Sequence, residues 1–283
     1  MPLYRSESAH ARVRSWCEGR LSAALPGADR LAVQTCLGPT HVTRWGSGPG
    51  ELVVLPGTNF NAATSASWAG ELTGSGRVSV VDLPGQPGLS SPGRLTEDKV
   101  QSYRRWGRDL LDGLGCGPFV LVAESLGAAV ALCLEPRSVA GLVLVSPGGI
   151  VPARVGLSEM RASMAWMLRP TEDRSRRLLN VMCGAGHQAS PETVEWMTLV
   201  ARSCRSGLAP APLPGVVLSG WAHTPAVVVV GSQDCFFSAD LIAARLARWT
   251  EFLVRTVEGA GHLLAHEEPD AVAGAVREVV ART

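Results

Sequence analysis

Lysine is almost missing from this chain: of its 26 basic residues only Lys99 is a lysine, a bias that reads as the mark of a GC-rich genome rather than as chemistry. An excess of charge is missing too. The 26 basic groups face 25 acidic ones and leave a formal charge of +1. No global field is available to gather nucleic acid or an anionic membrane surface, so recognition must be local. Long apolar runs are absent; a stretch such as Ala226 to Val230 falls far short of the roughly 20 residues needed to span a bilayer. The first twenty residues are charged throughout, where a signal peptide needs a continuous apolar segment, so neither export nor a membrane partner is expected. The seven cysteines, Cys17, Cys36, Cys116, Cys133, Cys183, Cys204 and Cys235, form no CxxC pair and no ligand spacing with histidine. That excludes a recognisable zinc motif, predicts no metal, and suits the reduced thiols of a cytoplasmic protein. No glycine-rich nucleotide loop follows the first strands, so no cofactor is expected.

What remains is a 283-residue chain with 46% apolar and 18% charged residues, the composition of a globular protein with a core of ordinary size. Residues 6 to 24 read as an amphipathic helix capped by Ser6 or Ser8, with Ala9, Val13, Trp16 and Leu21 near helical spacing. RLAVQTCL and HVTRWG, separated by Gly38, Pro39 and Thr40, read as a hairpin of edge strands. Short apolar runs follow at Leu52 to Leu55, Val78 to Val81, Phe119 to Val122, Leu142 to Val145 and Val227 to Val230, each the length of a strand buried on both faces. Helical stretches, notably Asp98 to Leu114 and Leu126 to Leu134, alternate with them, which predicts an α/β fold with a mostly parallel central sheet flanked by helices. Between Pro147 and Thr224 the alternation lapses into Met- and Trp-containing helical spacing, so a helical insertion is expected. It closes with a Gly/Pro-rich piece, Ser206 to Gly220. A strand near Phe252 to Val257 and a helix from Pro269 to Ala281 end the chain.

One strand runs directly into Ala123-Glu124-Ser125-Leu126-Gly127 and then into helix-forming alanines. A serine on such a tight turn projects above the sheet, while the following amides point from the helix start toward developing negative charge. Ala123 stands where the G-x-S-x-G pattern has glycine. A serine of this kind needs an acid and then a histidine from later strand ends, in that chain order. Asp234, just beyond the apolar run in VVVVGSQDCFF, is the candidate acid, and His262, preceded by the flexible Gly259 and Gly261 in VEGAGHLLAHEEPD, is the candidate base. His266 is its nearest rival, without the glycines on its N-terminal side. An oxyanion needs two donors. Leu126 would offer one through its backbone N–H, and in VVLPGTNFN either Thr58 or Asn59 would offer the other, with Thr58 preferred.

Taken together, these segments resemble the α/β-hydrolase superfamily from about residue 30 to the C-terminus. VVDLPGQPGLS is similar to that family's D-x-P-G-x-G-x-S loop with one extra residue, and GHLLAHEEP resembles its G-H-x-x-x-x-E-x-P ending, with Glu267 and Pro269 in register. LPGTNF places Pro56 where many members have histidine. The resemblance implies a Ser125–Asp234–His262 triad, Thr58 and Leu126 as oxyanion donors, a core of residues 1–147 and 223–283, and a helical cap of residues 148–222. A serine nucleophile also argues against the superfamily's epoxide hydrolases and dehalogenases, which need aspartate. Asn59, Phe60, Trp166 and Phe236 are the expected pocket residues, suited to an apolar group. The arginines of the insertion are candidates for a substrate carboxylate, though more in keeping with a solvated face. The expected activity is hydrolysis of a carboxylic ester, lactone or thioester of a small-molecule substrate through an acyl-enzyme. The alternatives are C–C bond hydrolysis, acyl transfer or cyclisation by the same triad, or a ligand-binding protein on the same scaffold.

Overall fold

The computed structural model describes residues 2–48, 50–95, 98–115, 117–205, 207 and 210–283. Its centre is an eight-stranded sheet of order β1-β2-β4-β3-β5-β6-β7-β8. The strands are β1 (Asp29–Thr35), β2 (Gly38–Trp45), β3 (Glu51–Leu55), β4 (Arg77–Val81), β5 (Phe119–Glu124), β6 (Gly141–Val145), β7 (Ala226–Gly231) and β8 (Leu253–Val257). Only β1 with β2 and β2 with β4 are antiparallel; every other neighbouring pair is parallel. The continuous apolar runs of β3, β5, β6 and β7 are buried along their whole length, because helices cover both faces and leave no side for polar residues. Each fully buried valine or leucine there is stabilising by about 1.5–3 kcal/mol relative to exposure.

The helices around the sheet are α1 (Glu7–Ala24), α2 (Ala62–Gly70), α3 (Lys99–Leu114), α4 (Leu126–Ala131), α9 (Ala239–Leu246), α10 (Leu264–Glu267) and α11 (Pro269–Val280). The Ser6 hydroxyl oxygen caps α1 by accepting the Ala9 N–H, and the Asp98 carboxylate caps α3 through Gln101. Four more helices, α5 (Leu157–Leu168), α6 (Glu172–Met182), α7 (Pro191–Ser203) and α8 (Gly215–Ser219), are inserted between β6 and β7.

The hairpin turns earlier than the Gly38–Thr40 expected from sequence. Gly38 pairs with Thr35, so Cys36 and Leu37 form the connection. Side chains fix it: the Thr35 hydroxyl accepts the Leu37 N–H at 3.2 Å and Asp109 accepts the Cys36 N–H at 2.6 Å. Of the two hairpin strands only β1 lies at an edge of the sheet, since β2 pairs on its other side with β4. The six described cysteines, Cys17, Cys36, Cys133, Cys183, Cys204 and Cys235, are free thiols, and Cys116 lies outside the described residues. Among the described residues no helix is long and apolar enough to cross a membrane, and no cluster of ligating side chains could hold a metal ion.

Candidate active site

Among the described residues three that are not glycine have positive φ: Asn59 at 67°, Ser125 at 48° and Ser146 at 43°. They follow the C-terminal ends of β3, β5 and β6, three neighbouring strands at the middle of the sheet. Left-handed backbone at serine costs on the order of 1–3 kcal/mol and persists only where the surroundings impose it, as at functional sites. At Ser125 the surroundings are explicit. Its N–H donates to the Val145 carbonyl at 3.0 Å and its own carbonyl accepts the Gly148 N–H at 3.0 Å. Gly127 lies so close to the Leu55 carbonyl that a Cβ there would collide with it, and a Cβ on Gly57 would sit 3.4 Å from that of Ser125. The turn is therefore packed between the end of β3 and the end of β6.

The fold brings Ser125, His262 and Asp234 into one hydrogen-bonded line. His262 Nε2 lies 3.1 Å from Ser125 Oγ, and Nδ1 lies 3.0 and 3.2 Å from the two Asp234 oxygens. Asp234 is held in turn by the Phe236 and Phe237 N–H groups, which donate to Oδ1 at 2.8 and 3.0 Å. Burial alone would push the His262 imidazole down. The adjacent Asp234 charge and hydrogen bond, joined by the charges of Glu124 and Glu267, outweigh burial and hold it above the ordinary value. Burial likewise pushes the Asp234 carboxyl up, but His262 and the two amides overcome it and leave the acid below its usual range. Such a line can draw a proton from the serine hydroxyl while the carboxylate stabilises the resulting imidazolium.

Above β3, the Asn59 N–H is already taken: it donates to Gln86 Oε1 at 3.0 Å. Among the described residues the Thr58 and Leu126 N–H groups have no protein acceptor. Gln86, in the segment expected only as a loop, thus separates the two residues that sequence left open, and no local signal announced it. Asp82 ties the start of α2 to the same loop: it accepts the Ala62 N–H at 2.8 Å and the Leu89 N–H at 2.7 Å.

The expected pocket residues divide. Phe236 stands edge-on to the His262 ring with centroids 4.8 Å apart. Phe60 is buried in the core against the His266 ring. Trp166 is buried too, its indole N–H donating to the Met197 carbonyl at 3.1 Å. Asn59 is buried, with its carbonyl accepting the Trp196 indole N–H at 2.7 Å. These last three are tied into packing. A cavity of about 560 Å³ lies against Thr58 and Leu126, and its lining includes none of the four. His266, the rival base, makes no bond to Ser125; it borders a different cavity beside Trp68, and burial pushes its imidazole down. Sequence reading passed over Glu124, a carboxylate 3% exposed beside the serine, with one oxygen that has no partner among the described residues.

The base is also anchored from the insertion. The His262 N–H donates to the Met182 carbonyl at 2.7 Å, and Glu267 Oε2 accepts the N–H groups of both Gly261 and Gly184, at 2.8 and 2.9 Å.

A family model for the alpha/beta hydrolase family matches residues 52–275. Carboxylesterase CesB from Bacillus subtilis superposes with a TM-score of 0.79 at 19% identity, over 98% of this chain and 99% of that one. Naproxen esterase from Bacillus subtilis gives 0.81 at 19% identity, over 97% and 99%. The meta-cleavage product hydrolase from Pseudomonas fluorescens IP01 gives 0.71 at 15% identity, over 89% and 97%. At these identities the likeness is one of fold. Among curated proteins no relative matches the chain in sequence.

Proposed function

The chain belongs to the alpha/beta hydrolase family, and on that premise we propose that it is a serine hydrolase acting on a carboxylic ester, lactone or thioester of a small, largely apolar molecule. The observation that carries this reading is the bonded line from Ser125 Oγ through His262 to Asp234. His262 Nε2 takes the Ser125 proton as Oγ attacks the substrate carbonyl carbon. The tetrahedral oxyanion is met by the Leu126 and Thr58 N–H groups, each donor of this kind being worth about 2.7–4 kcal/mol of barrier. His262 then gives its proton to the departing alkoxide or thiolate, leaving an acyl group on Ser125. Water, deprotonated by the same imidazole, attacks the acyl carbon and releases the acid and the free serine. Residues 148–222, with α5 to α8, act as a cap over this centre, and 1–147 with 223–283 form the catalytic core.

Intact-protein mass after treatment with a fluorophosphonate tests the nucleophile without knowledge of the substrate. One adduct is expected on the wild type and none on Ser125→Ala or His262→Ala. An adduct that persists on folded Ser125→Ala overturns the assignment, as does a folded wild type that takes none.

A further inference from the structure

The cavity against Thr58 and Leu126 has an uneven chemical lining. Val100, Tyr103, Leu126, Ala129 and Leu213 give it apolar walls, and Arg94 and Lys99 supply two cations. Among the described residues no carboxylate lines it. Asp98, next to Lys99, is turned to the Gln101 N–H at 3.1 Å and is not part of the wall, and Glu97 lies outside the described residues. The only lysine of the chain stands at the first residue of α3 and lines the same cavity as Thr58 and Leu126. Among the described residues Arg94 makes one bond, from Nη2 to the Arg205 carbonyl, and a guanidinium so placed is suited to planar, bidentate recognition. Arg154, Arg161, Arg169, Arg174, Arg176 and Arg177 of the insertion do not border this cavity.

We infer that the substrate carries an anionic group, carboxylate or phosphate, at the far end of an apolar arm that fills this cavity, and that Arg94 and Lys99 bind it. The inference rests on the serine-hydrolase reading and narrows its substrate class. An apolar wall adjoining the reacting carbonyl takes the hydrocarbon arm, and two cations with no counter-charge among the described lining residues make a neutral arm of the same length the poorer occupant. Lys99 is exposed, so the preference should weaken as salt rises.

The test uses esters that differ by one terminal anionic group: p-nitrophenyl hexanoate against mono-p-nitrophenyl adipate for an anionic acyl arm, and phenyl acetate against 4-acetoxybenzoate and 4-acetoxyphenyl phosphate for an anionic leaving arm. The wild type should favour the charged member of one set by about tenfold or more in kcat/KM, and the last set separates carboxylate from phosphate. That preference, read as the ratio of charged to neutral kcat/KM, should be reduced in Lys99→Gln and abolished or reversed in Lys99→Glu; Arg94→Lys should keep part of it. Wild-type protein that takes the fluorophosphonate yet turns over neutral members at least as fast in every set overturns this inference alone. So do Lys99 variants that slow charged and neutral members equally. A wild type that takes no probe overturns the reading beneath it as well.

Discussion

A buried imidazole resists protonation, and a base that must become a cation during the reaction needs that resistance removed. At His262 the burial penalty is overcome by the charge and hydrogen bond of Asp234, which set the ring above its ordinary value of about 6.5. This fixes the sign of the pH dependence. Only neutral His262 accepts the Ser125 proton, so with a raised value the inactive imidazolium persists to higher pH, and the acidic limb of kcat/KM should lie above that of a free imidazole. Asp234→Asn removes the charge, lowers the His262 value and should move the limb to lower pH, while kcat falls by about ten-thousand-fold because the imidazole tautomer is no longer held. A pH–rate profile of both proteins checks the two effects; an unmoved limb would detach Asp234 from the base. Ser125, Asp234 and His262 were legible in sequence because each sits at a strand end marked by its own neighbours. The engagement of the Asn59 N–H, which favours Thr58 as the proposed donor, was not, because its acceptor Gln86 comes from a different loop.

Elements hold these residues through contacts between distant segments. Glu267 Oε2 accepts one N–H from the residue before His262 and one from Gly184, so the base loop and the turn after α6 share a single acceptor. A Cβ on Gly261 would collide with Met182 and one on Gly184 with the Gly259 carbonyl, so the two glycines permit the close approach. Glu267→Ala should lower kcat by about 10- to 100-fold with KM little changed, since displacement of a reacting group by about 1 Å costs that much. Glu267→Gln keeps an acceptor oxygen and should retain most of the rate. By losing a charge that raises His262, it should move the acidic limb modestly to lower pH. Steady-state kinetics with a pH profile separate the two roles, and equal loss in both variants with no movement of the limb would reduce Glu267 to a structural acceptor. Glu267 was readable in register from the resemblance, but its partner Gly184 is 83 residues away and no local pattern links them. α2 escaped sequence reading for a different reason. Ala62, Ala63, Ser65, Ala66, Trp68 and Ala69 are all buried, and a helix covered on most sides carries no polar stripe to reveal its period.

On the scale of the molecule, the insertion is fastened at one side and open at the other. Leu3 and Arg5 bond to Arg205 and Ser203 in a short antiparallel bridge, the Trp16 and Trp196 rings lie 4.7 Å apart, and the Trp16 indole N–H donates to Glu195 at 2.9 Å. The N-terminal segment thereby straps α7 to the body of the protein. α5 is different. Of the methionines and tryptophans that marked this segment in sequence, Trp166, Trp196 and Met197 are buried, whereas Met160, Met164 and Met167 are exposed along α5 together with Leu157 and Leu168. Composition alone could not sort them, because burial depends on which helix α1 and α2 cover. Local opening draws on regions with few buried contacts, so α5 should open well before α7. Amide hydrogen exchange followed by mass spectrometry should find α7 protected about a hundredfold or more longer than α5. Removal of the Trp16–Trp196 contact by Trp16→Ala should bring α7 closer to α5 while leaving β5 and β6 unchanged. Equal exchange of α5 and α7 in the wild type would mean that the insertion moves as one body and that the strap does not restrain it.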